Sequence, residues 1–280
     1  TAAFVLVDAW HGALPNIRVG DASEAPMWTG ARDNIPLDDA GRVLARLPWG
    51  GPENGASVTG HFHVLGYDPL WIETFDRLRK VSDSNDPNGI ANTLLGVRYV
   101  LATEPQDDLT NFELSGIAYE SLYYERTDPF PRAWITTDAR VEPDDDTALA
   151  QLADPATDLH ATVYLDRVLE CESGGGDATI RLYDTNEVQI ETSGEGGVLV
   201  LSDQYYPGWR AEVDGEEVTI ARADVAFRAV CVPPGEHTVT FTYRPLSFYA
   251  GAAISAAGWA LWALVWVLAW RVDRRGRPAI

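Results

Sequence analysis

Residues 196–215 read GGVLVLSDQYYPGWRAEVDG and change character three times. Residues 198–201 are apolar without a break, as in a central strand covered on both faces. From Trp209 the pattern alternates, with Trp209, Ala211 and Val213 on one side and Arg210 and Glu212 on the other, so a half-buried strand begins there with Trp209 pointing inward. Asp214-Gly215 then offers the positive φ of a tight hairpin turn. Tyr205, Tyr206 and Pro207 lie in the connection between the two strands. At least one tyrosine ring should be exposed there, where it could stack on a sugar face; packing is the first role of Trp209.

The same signals continue outward. In HTVTFTY, residues 237–243, Val239, Phe241 and Tyr243 alternate with threonines, and the PPG at 233–235 is a second turn. Strand-like runs also cover 120–125, 133–137, 161–165, 178–184 and 188–192, with one short helix expected at 147–152. Short strands at near-regular spacing predict an antiparallel β-sandwich. Residues 1–105 mix the two periods, with strands at 4–7, 57–65 and 97–102 and helical patterns at 39–47, 70–80 and 90–95. The fold expected is α+β and mainly β: a mixed α/β region over 1–105, a β-sandwich-like domain over 106–247, then one terminal helix.

That helix is the apolar stretch FYAGAAISAAGWALWALVWVLAW at 248–270, which carries no charge. About 20 such residues suffice to cross the hydrocarbon of a bilayer. Phe248 and Tyr249 at one end and Trp266 and Trp270 at the other fit interfacial aromatic belts, and Gly251, Ala252, Ser255 and Gly258 form a small-residue stripe suited to a helix neighbour. Arg271, Arg274, Arg275 and Arg277 follow. The excess of arginine puts the 271–280 tail in the cytoplasm and everything before the span outside it. The chain begins Thr1-Ala2-Ala3 with no secretory signal in view, which leaves either a removed signal peptide or, the reading adopted, the C-terminal piece of a larger membrane protein.

Charge narrows the partners. The 280 residues carry 42 acidic against 21 basic side chains, for a net charge of −21, and Lys80 is the only lysine. Such a surface excludes nucleic acid, which demands clustered cations. It suits either a heavily hydrated, salt-adapted exterior or simply acidic solvated loops.

Other chemistry is thin. His61 and His63 would share one face of a strand with Asp68 nearby, a spacing that can hold a metal, yet a third ligand is lacking and two polar residues on a wetted strand is the better reading. His11, His160 and His237 are scattered. The Asp144–Asp146 run misses the spacing of a calcium loop and is expected to cap the helix that follows. Cys171 and Cys231 are the only cysteines. They could pair outside the cytoplasm, or Cys231 could be a small buried apolar residue of its strand. There is no G-x-S-x-G, P-loop or H-E-x-x-H.

Several of these stretches together resemble one family. The string from GGVLVLSDQYYPGW through VPPGEHTVTFTYRPLSFYAG at 196–251, followed at once by a terminal membrane helix, is similar to the C-terminal end of YfhO-like bacterial and archaeal membrane proteins. DPFPRAW at 128–134 with the acidic VEPDDDTALAQL after it, and LLGVRYVLA at 94–102 downstream of LGYDPL at 65–70, extend the likeness over residues 65–260. The resemblance implies a multi-spanning protein related to the GT-C glycosyltransferases, which use polyprenyl-phosphate sugars to modify envelope glycans. Their catalytic carboxylate lies on an outward loop between N-terminal membrane helices, and no such helices are found here. No catalytic residue is therefore carried over, and no cofactor is expected in this chain; a divalent metal would belong to the catalytic part. The partners implied are the bilayer, upstream helices of the same protein, a lipid-linked sugar and an envelope glycan. The alternatives are a membrane-anchored carbohydrate-binding or surface module without activity, and a metal hydrolase built on His61 and His63.

Overall fold

The computed structural model describes residues 35, 42–46, 62–64, 72–83, 85–118 and 121–275. The chain runs through β1 (Arg42–Arg46), β2 (Phe62–His63), α1 (Glu73–Arg79), α2 (Ile90–Leu94), β3 (Val97–Ala102), β4 (Phe112–Ala118) and β5 (Ser121–Arg126). It continues with β6 (Ala133–Thr136), β7 (Asp138–Val141), α3 (Asp145–Leu152), β8 (Thr162–Leu165), β9 (Gly176–Tyr183) and β10 (Glu187–Gly194). The last part holds β11 (Gly197–Gln204), β12 (Trp209–Val213), β13 (Glu216–Val218), β14 (Ala221–Ala223), β15 (Phe227–Val232), β16 (His237–Tyr243) and α4 (Leu246–Arg275). The protein is β-rich, with one long terminal helix.

The strands form three sheets, ordered β2-β1-β3-β5-β4, β6-β11-β15-β14-β8-β7 and β13-β12-β16-β10-β9. The first takes strands from both sides of residue 105 and begins with parallel pairs, β1 against both β2 and β3. The second is the middle layer. From its strand β11, Leu199 and Leu201 face a core shared with Val188, Ile190, Ala211, Val239 and Phe241 of the third sheet. The alternate residues Val198 and Val200 face a second core with Leu78 and Leu94 of the helices and Val100 of the first sheet. Burial on both faces is the physical reason that 198–201 contain no polar residue: each leucine or valine shut off from water contributes about 1.5–3 kcal/mol. The second and third sheets are the sandwich expected from the alternating strands.

Local details follow the sequence closely in this half. Asp214 and Gly215 take φ of 51° and 87°, a two-residue hairpin turn between β12 and β13. The Asp144 carboxylate caps α3 by accepting from Thr147 N–H at 2.8 Å, as the acidic run suggested. Asp224 and Val225, between β14 and β15, have φ of 46° and 69°, a left-handed pair unusual for a β-branched residue. Cys171 and Cys231 form a disulfide, Cα atoms 5.4 Å apart, across 60 positions of sequence. Closing a loop of that size stabilises the fold by about 4 kcal/mol on the chain-entropy account.

One expected element is corrected. The helical pattern at 39–47 is a strand over Arg42–Arg46. Val43 and Leu44 are both buried, but in different cores, one on each face of the first sheet. Two-sided burial erases the period-two signal, and the strand forms because β2 and β3 flank it with backbone partners. The strand expected at 4–7 lies outside the described residues.

Along helix α4, Ile254, Trp259, Trp262 and Trp266 are all well exposed. Its segment Leu246–Arg271 is long and apolar enough to cross a membrane, the only such helix among the described residues.

Candidate functional site

The connection between β11 and β12 forms one wall of a groove of about 390 Å³, lined by residues 205–210 and by Glu217, Val218, Thr219 and Ile220. The sequence builds this wall from backbone restraints. Tyr205 N–H donates to the Ala226 carbonyl at 2.7 Å, which pins the start of the loop to the turn after β14. Gly208 has φ of 111°, and a Cβ there would lie 3.0 Å from the Tyr243 ring and 3.1 Å from Pro245, so only glycine fits. Its carbonyl accepts from Arg244 N–H at 2.7 Å. The aromatic loop is thereby tied to the last residues before α4. Tyr206 is 46% exposed, and the ring centroids of Tyr206 and Trp209 lie 6.5 Å and 5.3 Å from that of Tyr243. Of the three aromatics named from sequence, Tyr206 is open, Tyr205 and Trp209 are half-buried, and all three line the groove.

Under the groove lies a buried ion cluster. The Arg228 guanidinium sits 3.8 Å from the centre of the Trp209 ring and 5.3 Å from that of Phe241, a cation–π arrangement worth about 1–2 kcal/mol in a desolvated place. Its Nε and Nη1 make no hydrogen bond. Its Nη2 donates to Asp203 Oδ2 at 3.0 Å, and Tyr183 Oη donates to the same oxygen at 2.9 Å. Asp203 Oδ1 accepts from Arg42 Nη2 at 2.8 Å and from Arg132 Nε and Nη2 at 3.0 and 2.9 Å. Arg42 also donates to the Ser202 hydroxyl and carbonyl and to the Leu95 carbonyl. Arg132 stacks on the rings of Tyr183 and Phe62, 4.0 and 4.6 Å from their centroids. One carboxylate at the end of β11 thus gathers side chains from all three sheets.

The electrostatics make this a lock. Burial pushes the Asp203 carboxyl up, but the guanidiniums of Arg132, Arg42 and Arg228 outweigh it and hold the group below the ordinary carboxylate range. Burial, then the Asp203 charge, pushes the Tyr183 hydroxyl up to about 12. Burial lowers Arg42 to about 10, still well above neutral pH, and lowers Arg228 as well. Asp203 has no proton to give and no free lone pair directed at solvent, so general acid or base work is not its role. Sequence reasoning missed the cluster. The available signal was charge in the wrong place: Asp203 comes two residues after the apolar run 198–201, Arg132 sits in FPRAW and Arg228 in AFRAV.

Other expected residues are dispersed. His63 lies on β2, while His61 and Asp68 fall outside the described residues. The His160 ring packs 4.2 Å from that of Phe130. His237 pairs with Asp214 at 2.6 Å, at the other end of β16 from the groove. Among the described residues no group of three or more His, Cys, Asp or Glu could hold a metal ion. Tyr249, Trp266, Trp270 and Arg271 are exposed on α4, and Arg274 and Arg275 end it.

No curated protein and no solved structure matches the chain. Residues 177–255, from β9 into α4 and including the groove, Asp203 and Arg228, match the family described as bacterial membrane protein YfhO.

Proposed function

We propose that this chain is the extracytoplasmic C-terminal region and last membrane helix of a GT-C-type glycosyltransferase, and that it positions a glycan or acceptor and leaves catalysis to other parts of the enzyme. The family match over 177–255 carries the reading, because it covers both the aromatic groove and the start of the membrane helix. Two observations support it. A disulfide persists in oxidising compartments, which supports a position outside the cytoplasm for residues 171–231. Arginines gather at the end of the helix at 271, 274 and 275, which supports a cytoplasmic side for its C-terminal end. The donor would be a lipid-linked sugar and the acceptor an envelope glycan. In the groove the exposed Tyr206 ring supplies an apolar face, while Arg210, Glu217 and Thr219 supply polar groups for hydroxyls.

The test is glycan binding by the full chain in lipid nanodiscs, titrated with oligosaccharides released from a bacterial envelope. Tyr205→Ala and Tyr206→Ala together should weaken binding at least tenfold, ~1.4 kcal/mol. Unchanged affinity in the double variant would remove the groove from the reading.

A further inference from the structure

The groove's position relative to the bilayer points to a contact that the glycan reading does not require. Leu246–Arg271 comprises 26 residues. At 1.5 Å per residue it is about 39 Å long, against about 30 Å of hydrocarbon and 40–45 Å for a bilayer with its headgroup layers. With Trp270 and Arg271 in one headgroup layer, Leu246 must lie in the other. Only Pro245 separates that residue from Arg244, whose N–H is bonded to Gly208, and Pro245 itself would touch a side chain placed on Gly208. The loop carrying Tyr206 is therefore held at headgroup depth by hydrogen bonds and packing, independent of any ligand.

The chemistry of this end of the sandwich suits that depth. Tyr206 is exposed, with an apolar ring and a polar tip, the combination that favours the membrane–water interface. Arg210 and Arg244 are exposed beside it, and guanidiniums bind phosphate oxygens in a bidentate fashion. The opposite end of the third sheet lies about 20 Å away along β16. It is acidic, with Asp214, Glu216 and Glu236 all exposed.

We infer that the Tyr205–Gly208 loop, with Arg210 and Arg244, docks the sandwich onto the phospholipid headgroups around its own membrane helix. The domain is then held against the bilayer at a fixed tilt, and the groove opens at the lipid surface. An occupant of the groove must reach it within the headgroup layer.

The two cysteines of the chain are bonded to each other, so an introduced cysteine is the only free thiol. The full chain, reconstituted in 3:1 phosphatidylcholine–phosphatidylglycerol vesicles, is labelled with an environment-sensitive fluorophore at Tyr206→Cys, at Thr219→Cys on the other wall, or at Glu216→Cys at the far end. A headgroup spin-labelled lipid should quench the first two labels at least threefold more than the third, and aqueous iodide should give the reverse order. Should Tyr206→Cys not fold, the Thr219 label reads the same contact. Adding Arg210→Glu and Arg244→Glu should bring quenching at Thr219 down to that at Glu216. Equal lipid quenching at the two ends, or no response to the arginine reversal, would overturn the docking. Loss of glycan binding with headgroup quenching intact would sink the glycan reading and leave this one standing.

Discussion

Asp203 and Asp224 are both buried and reach opposite electrostatic ends. Asp203 accepts from three arginines and a tyrosine, and its carboxyl is held below the usual range. Asp224 accepts one bond, from Tyr164 N–H at 2.9 Å, while its Oδ2 makes none. Burial alone pushes it up to about 7. The difference teaches that desolvation is common to both and the partner set decides the sign. One aspartate organises the join between sheets, while the other is a cost that the turn between β14 and β15 carries.

The sharpest way to break the contrast is to remove the carboxylate that has partners. Asp203→Ala leaves three buried guanidiniums around a missing anion, and breaking a buried pair in this way typically costs about 3–5 kcal/mol. Urea unfolding of the chain in detergent should show that loss. The same substitution at exposed Glu236 should leave the unfolding midpoint close to wild type. A wild-type midpoint for Asp203→Ala would mean that the cluster does not hold the sheets together.

Asp224 gives the next effect, with the opposite sign. A folded pKa of about 7 against an ordinary carboxyl value near 4 means the native state binds the extra proton between those pH values. The Asp224 contribution to stability is therefore full below about pH 4 and declines as pH rises to 7, by at most about 4 kcal/mol for a shift of this size. Asp224→Asn keeps an acceptor for Tyr164 N–H, removes the titration, and tolerates the left-handed φ of 46°. Its new amide donor lacks a partner, which returns part of the gain. The variant should be about 1–2 kcal/mol more stable than wild type at pH 8. Its unfolding free energy should be flat over the interval where the wild type declines; a slope that persists would assign the titration elsewhere.

Much of the sandwich was legible because its strands are patterned by burial. Residues 198–201 read as central and 237–243 as half-buried, and β11 and β16 bear out both. The first sheet was harder, since Val43 and Leu44 face two different cores and leave no alternation, and β4 is an edge strand with Leu114 and Ile117 exposed. The ion cluster draws on positions 42, 132, 183, 203 and 228. No local pattern joins residues that far apart; only the pairing of sheets does. Tyr205, Tyr206 and Trp209 could be named from composition, but their place at the foot of the membrane helix depends on the pairing of Trp209 with Tyr243, which no window of sequence contains.

The smallest expected effect completes the comparison at the far end of the same sheet. His237 Nδ1 lies 2.6 Å from Asp214 Oδ2, and its Nε2 lies 3.1 Å from the Pro234 carbonyl. Both partners can only accept, so both ring nitrogens must donate and the imidazole is a cation in this arrangement. The Asp214 hydrogen bond first, and the Pro234 carbonyl next, raise its pKa above the ordinary histidine value, and the Asp214 carboxyl is lowered in return. A raised folded pKa stabilises fully below the unfolded value near 6.5, and that stabilisation disappears as pH climbs through the folded value. The pair is open to solvent and salt, so the effect on unfolding should be slight. It is better read by NMR: the His237 ring protons should titrate above those of an unpaired histidine, and Asp214→Asn should bring them back down. An unshifted titration in the wild type would mean that His237 is neutral at neutral pH, and the hairpin at 214–215 would then be held to β16 without that charge, by the two bonds between Asp214 and Thr238, each 2.9 Å, and by the strand pairing.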